Sequence, residues 1–199
     1  MAHATTMNGI ERYEAPLTPG WGKLMMWFFL CSDAMSFAGL LAAYAAVRMG
    51  DSQWPVPSSV LDVPLTALNT FILICSSVTM VKALSAIRHG SPKGLVRWLL
   101  GTMAGGATFL CIQAYEWTHL IVHDGLSAKT SLFGATFFIL TGFHGCHVLS
   151  GVIYLGCIAF RAARGGYTRE SNSPVEIAGL YWHFVDLIWI LVFTFVYLI

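Results

Sequence analysis

The chain has 199 residues, of which 56% are hydrophobic and only 11% charged, where an ordinary soluble domain carries about 25% charged residues. Its mean hydropathy is +0.67 and its formal net charge +1. These values exclude a soluble globular domain and give no reason to expect nucleic acid or an acidic macromolecule as a partner.

Apolar runs recur at 24–47, 64–87, 95–118, 131–160 and 177–199, each long enough to cross a hydrocarbon core that takes about 20 helical residues. They predict an all-α, polytopic membrane helix bundle with five transmembrane helices. The domain plan is an N-terminal segment, 1–23, followed by one five-helix domain, 24–199. The first run is too long for the apolar region of a signal peptide and reads as a span. The fourth run is the longest and is expected to tilt or to project beyond the bilayer. Between the runs stand turn and interface residues: Trp54-Pro55-Val56-Pro57-Ser58-Ser59, Gly90-Ser91-Pro92, His123-Asp124-Gly125 and Gly165-Gly166.

Basic residues set the expected orientation. Arg12, Lys23, Lys82, Arg88, Lys93, Arg97, Arg161, Arg164 and Arg169 fall on one side, and only Arg48 and Lys129 on the other. By the positive-inside rule the N-terminus and segment 1–23 are expected to be cytoplasmic and the C-terminus outside, on the periplasmic side if the source is bacterial. Lys82 is expected to snorkel. The five cysteines, Cys31, Cys75, Cys111, Cys146 and Cys157, lie inside apolar runs without a CxxC pair and read as small core residues.

Polar residues inside the runs carry the functional signal, because a charged group at mid-membrane is costly and normally faces other protein. Asp33 lies about ten residues beyond Lys23, roughly 15 Å into the core and close to the midplane. Gln113 and Glu116 are three apart and read as sharing a helix face. They follow Gly101-Thr102-Met103-Ala104-Gly105, whose small residues permit close helix approach. A structural role is favoured for Glu116. His144 and His147, also three apart, could supply two metal ligands, but the flanking Gly142 and Gly145 favour contact with another helix. His183 and Asp186 repeat the spacing in the last run, with Trp182 and Trp189 as packing groups. Pairings such as His183 or His144 with Asp33 or Glu116 stay open. No residue is singled out as catalytic, cofactor-binding or metal-ligating, and the candidate site is a buried polar network of Asp33, Glu116, His144, His147, His183 and Asp186.

Five ordered blocks resemble subunit III of the haem–copper terminal oxidases. They are Ser32-Asp33-Ala34-Met35-Ser36-Phe37-Ala38-Gly39; Leu68-Asn69-Thr70 with Ser76-Ser77-Val78-Thr79; Gln113-Ala114-Tyr115-Glu116-Trp117; Thr141-Gly142-Phe143-His144-Gly145-Cys146-His147-Val148 with Gly151; and Tyr181-Trp182-His183-Phe184-Val185-Asp186. They cover nearly the whole chain from Trp21 onward and resemble the short, five-helix bacterial form. Asp33 stands where many cytochrome c oxidase members have glutamate, a variation also seen in the quinol oxidase branch.

The resemblance implies an accessory subunit of the bacterial inner membrane, not catalytic by itself, within a proton-pumping oxidase of aerobic respiration. It binds no redox cofactor of its own, since haem and copper belong to the catalytic partner, subunit I. Subunit II, a small subunit IV, structural phospholipid and membrane lipids complete the implied company. The implied roles are stabilising subunit I and supporting its proton uptake. Subunit III of a quinol oxidase and the accessory protein of a nitric oxide reductase are near alternatives. A small proton-coupled transporter, motivated by Asp33, and a membrane b-type cytochrome, motivated by the histidines, come from other classes.

Overall fold

The computed structural model describes residues 20–52 and 54–199. Arg12 and most of the segment 1–23 lie outside the described residues. Five long helices, α1 (Gly20–Gly50), α3 (Val63–Arg88), α4 (Pro92–Val122), α5 (Leu132–Ala163) and α6 (Ser173–Phe193), are joined by one short turn of helix, α2 (Pro57–Val60), and α6 continues as a π-helical turn, Thr194–Leu198. All five are long and apolar enough to cross a membrane, and no strand forms among the described residues. At 31 or 32 residues, α1, α4 and α5 measure about 46–48 Å at 1.5 Å per residue, so they overrun a core about 30 Å thick.

The helix starts follow from local chemistry. Asp62 caps α3 by accepting from Leu65 N–H, Ser91 caps α4 by accepting from Gly94 N–H, and Ser131 caps α5 by accepting from Gly134 N–H. Proline occupies the first turn of α3, α4 and α6, where its missing N–H costs nothing. At the end of α3, Gly90 takes a left-handed φ of 76°, and Gly90 N–H and Ser91 N–H close back onto the Ile87 and Ala86 carbonyls. That is the turn glycine makes cheaply at a helix C-terminus.

Helices α3, α4, α5 and α6 close a ring in which each packs on its sequence neighbour and α6 packs back on α3. Helix α1 lies outside the ring against α5 and α6. The α3–α4 approach uses the small residues expected for it: a Cβ on Gly105 would stand 2.7 Å from Ser76 Cβ, and the Thr79 and Thr102 hydroxyls meet at 2.8 Å. Trp182 of α6 fills the ring, fitting against Gly106 of α4 and Gly151 of α5. At one end Glu176 Oε1 binds Lys23 at 2.7 Å and Arg88 at 3.3 Å, tying the first turns of α1 and α6 to the last turn of α3. Lys82 Nζ rests 4.7 Å from the Trp98 ring centre, a cation–π contact.

The cysteines correct the sequence expectation. All five are free and lie on the outer surface of the bundle, not in its core. Lipid tails are as apolar as a protein interior, so nothing drives a small thiol inward.

Candidate functional site

Asp33 of α1 and His147 of α5 meet in the interior, Nε2 to Oδ1 at 3.2 Å. His147 Nδ1 lies 2.7 Å from the Phe143 carbonyl oxygen. That oxygen only accepts, so Nδ1 carries a hydrogen. Phe37, one turn beyond Asp33, packs its ring 5.2 Å from the imidazole and 4.9 Å from Phe143. The Asp33 Oδ2 atom is buried without a hydrogen-bond partner among the described residues. Beside this pair, the Tyr181 hydroxyl of α6 donates to the His147 carbonyl at 3.1 Å and lies 2.6 Å from Ser150 Oγ.

Glu116 of α4 is held elsewhere. Thr66 of α3 donates to its Oε1 at 3.0 Å and Tyr197 of the C-terminal π turn donates to its Oε2 at 3.0 Å. Gln113, one turn earlier, faces the other way and donates to the Thr141 carbonyl of α5 at 2.8 Å. Asp186 of α6 accepts from Ser77 of α3 at 2.7 Å, while His183 is half-buried beside it. His144 is fully buried, stacked 4.7 Å from Trp189 and edge-on to Phe109 at 5.6 Å. Neither of its ring nitrogens has a hydrogen-bond partner among the described residues.

The six residues singled out in the sequence therefore do not form one connected chain. Asp33 and His147 are joined, and Glu116, Asp186, His144 and His183 have separate surroundings. Gln113 and Glu116 take partners on different helices, and so do His144 and His147, where the spacing suggested a shared face, while His183 stays beside Asp186. Three residues advance a helix by about 300°, leaving the side chains about 60° apart. On a closely packed helix that is enough to reach different partners.

The residues missing from the sequence-based set are mostly on α3. The Trp182 indole N–H donates to Ser76 Oγ at 3.0 Å and the Trp189 indole N–H to Thr70 Oγ1 at 2.9 Å. With Thr66 and Ser77, these hydroxyls make α3 a polar spine for α4, α6 and the C-terminal turn. A signal existed, since a buried tryptophan usually finds a partner for its N–H.

These features define a membrane bundle whose buried acids are bound by hydroxyls and imidazole, with no group of three or more His, Cys, Asp or Glu side chains that could hold a metal ion among the described residues. Comparison with known proteins gives the family. Residues 5–199 match the family described as cytochrome c oxidase subunit III. A Synechocystis protein named cytochrome c oxidase subunit 3 is 42% identical over 86% of this chain and 72% of its own length. One of the same name from Thermostichus vulcanus is 36% identical over 91% of this chain and 89% of its own. The quinol oxidase subunit 3 of Bacillus subtilis is also 36% identical, over 100% of this chain and 97% of its own. The chain belongs to the cytochrome c oxidase subunit III family, the accessory-subunit family of the haem–copper oxidases.

Proposed function

We propose that this chain is the non-redox subunit III of a proton-pumping terminal oxidase of the cytochrome c oxidase type. It sits in a bacterial inner membrane on a catalytic subunit I that carries haem and copper, with subunit II and a small subunit IV as further partners. Its place in aerobic respiration is to stabilise subunit I and support proton uptake there. The N-terminus and residues 1–23 are cytoplasmic, residues 24–199 form the membrane domain, and the C-terminus is periplasmic, as the nine-to-two distribution of basic residues favours. Structural phospholipid lines the outer faces. A second reading, subunit III of a quinol oxidase, is favoured by the match to the Bacillus subtilis protein over the entire chain. The copper-binding donor subunit, a separate chain, decides between them.

The observation that carries the reading is the family match over residues 5–199, with a carboxyl–imidazole pair on the helix least enclosed by its own chain. The Asp33–His147 pair and the other buried polar residues serve as interhelical holders that keep this bundle seated on its partner. Tagging the chain and purifying it in mild detergent should bring down a haem-containing subunit visible in the Soret region. A chain that emerges alone and colourless overturns the assignment. In the intact oxidase, Asp33→Ala should leave the redox spectra unchanged and shorten the active lifetime during turnover. An unchanged lifetime, with full retention of the subunit, removes Asp33 from this role.

A further inference from the structure

We propose that His119 and His123, at the end of α4, form a binding site for a divalent transition metal ion, with Asp124 orienting one imidazole. The two histidines are four residues apart, on the same face of the last turn. The backbone stays helical through His123, whose φ and ψ are −95° and −42° and whose N–H reaches the His119 carbonyl at 2.8 Å. The ring centres lie 4.8 Å apart with planes inclined by 32°. Two imidazoles bound to one zinc ion, each with a Zn–N distance of about 2.0–2.1 Å, place their ring centres roughly 5 Å apart. The observed ring separation matches that spacing.

The second observation is the carboxylate behind the pair. Asp124 Oδ2 stands 3.5 Å from His119 Nδ1, within ion-pair reach, and closing that gap to a hydrogen bond would fix the tautomer of His119 and leave Nε2 for the metal. The turn carrying Asp124 is closed by the Leu126 N–H bond to the Leu120 carbonyl at 3.0 Å. The surroundings favour a cation. A helix C-terminus carries the negative end of the dipole, and the adjoining cavity of about 300 Å³ is lined by Asp62, Glu116, His119 and Asp124. Asp62 and Glu116 are engaged by Leu65 N–H and by Thr66 and Tyr197, so they add field and leave ligation to the histidines.

Two imidazoles suit zinc, copper or nickel and disfavour magnesium or calcium, which take oxygen ligands. With two protein ligands and the remaining positions taken by water, the ion binds reversibly. Both histidines are exposed, so it enters directly from the aqueous edge of the bundle.

The test titrates the full-length chain, carrying a histidine-free tag in mild detergent at pH 7.5, with Zn2+ by calorimetry. One saturable site is expected. His119→Ala and His123→Ala should each weaken it by at least about tenfold, Asp124→Asn by about tenfold, and His89→Ala not at all. Should a variant misfold, diethylpyrocarbonate labelling of the parent chain provides the second measurement: Zn2+ should protect both His119 and His123. Absence of saturable binding, parent-like affinity in either histidine variant, or zinc protection of neither residue overturns the proposal.

Discussion

Half of the most apolar 18-residue stretch of the last span is buried within the chain, against 17% of that of α1, and the two helices are attached by different means. Helix α6 and its C-terminal turn bind the ring through Trp182 to Ser76, Asp186 to Ser77, Trp189 to Thr70 and Tyr197 to Glu116. Helix α1 offers one polar pair near mid-span, Asp33 with His147. Near its ends it adds Lys23 to Glu176 and the Arg48 guanidinium donating to the Ile199 carbonyl. Between helices in lipid the hydrophobic effect supplies little drive. Close packing and interhelical hydrogen bonds, on average about 0.6 kcal/mol each, carry the association. A ring to which α6 and its C-terminal turn are stitched at these four places, filled by Trp182, is a rigid core, and α1 is an appended helix whose seating depends on few contacts.

The sharpest contrast is between two glycines. A Cβ at Gly106 would stand 2.5 Å from Trp182 Cη2 and 2.8 Å from Val152 Cγ2, whereas among the described residues nothing outside its own helical turn lies within 4 Å of one at Gly39 of α1. Gly106→Val should destabilise the bundle by about 2–3 kcal/mol in thermal unfolding in detergent, the usual scale of overpacking. Gly39→Val should stay within about 0.5 kcal/mol of the parent. Equal losses at the two positions would erase the distinction between core and appendage.

Trp182→Phe keeps a ring in the core but removes the indole N–H given to Ser76, and should cost about 1 kcal/mol by the same measurement. Combining it with Ser76→Ala should give less than the sum of the two single losses if the hydrogen bond is what couples them. The smallest effect is expected at the rim. Lys23 is 39% exposed in its ion pair, and Lys23→Ala should cost no more than about 0.5 kcal/mol, an amount that 0.5 M salt should largely abolish.

The five spans were legible because their length and hydropathy exceed anything a soluble domain of this size requires. Their ends were less so. Residues 92–94 looked like connection, yet Ser91 and Pro92 start α4 there, and Pro57–Val60 inside the proline-rich linker forms a helical turn. Asp33, Glu116 and Asp186 stood out because an acid in an apolar run demands a partner. Their partners did not, since Ser and Thr are tolerated on any face of a membrane helix by bonding back to their own backbone, as Thr70 does to the Thr66 carbonyl. Nothing in the sequence separates that use from Ser77 reaching across to Asp186. The six-residue network was overdrawn for a related reason: a spacing of three was taken as one face, when in a packed bundle it can straddle two neighbours.

The most direct test of a rigid ring carrying a loosely seated α1 is a pair of electron–electron distance distributions. Spin labels would be placed on α1 and α5 in one sample and on α3 and α6 in another, each in the parent chain and in Asp33→Ala. The α1–α5 distribution should broaden in the variant while the α3–α6 distribution stays narrow. Broadening of both together, or of neither, would contradict the division.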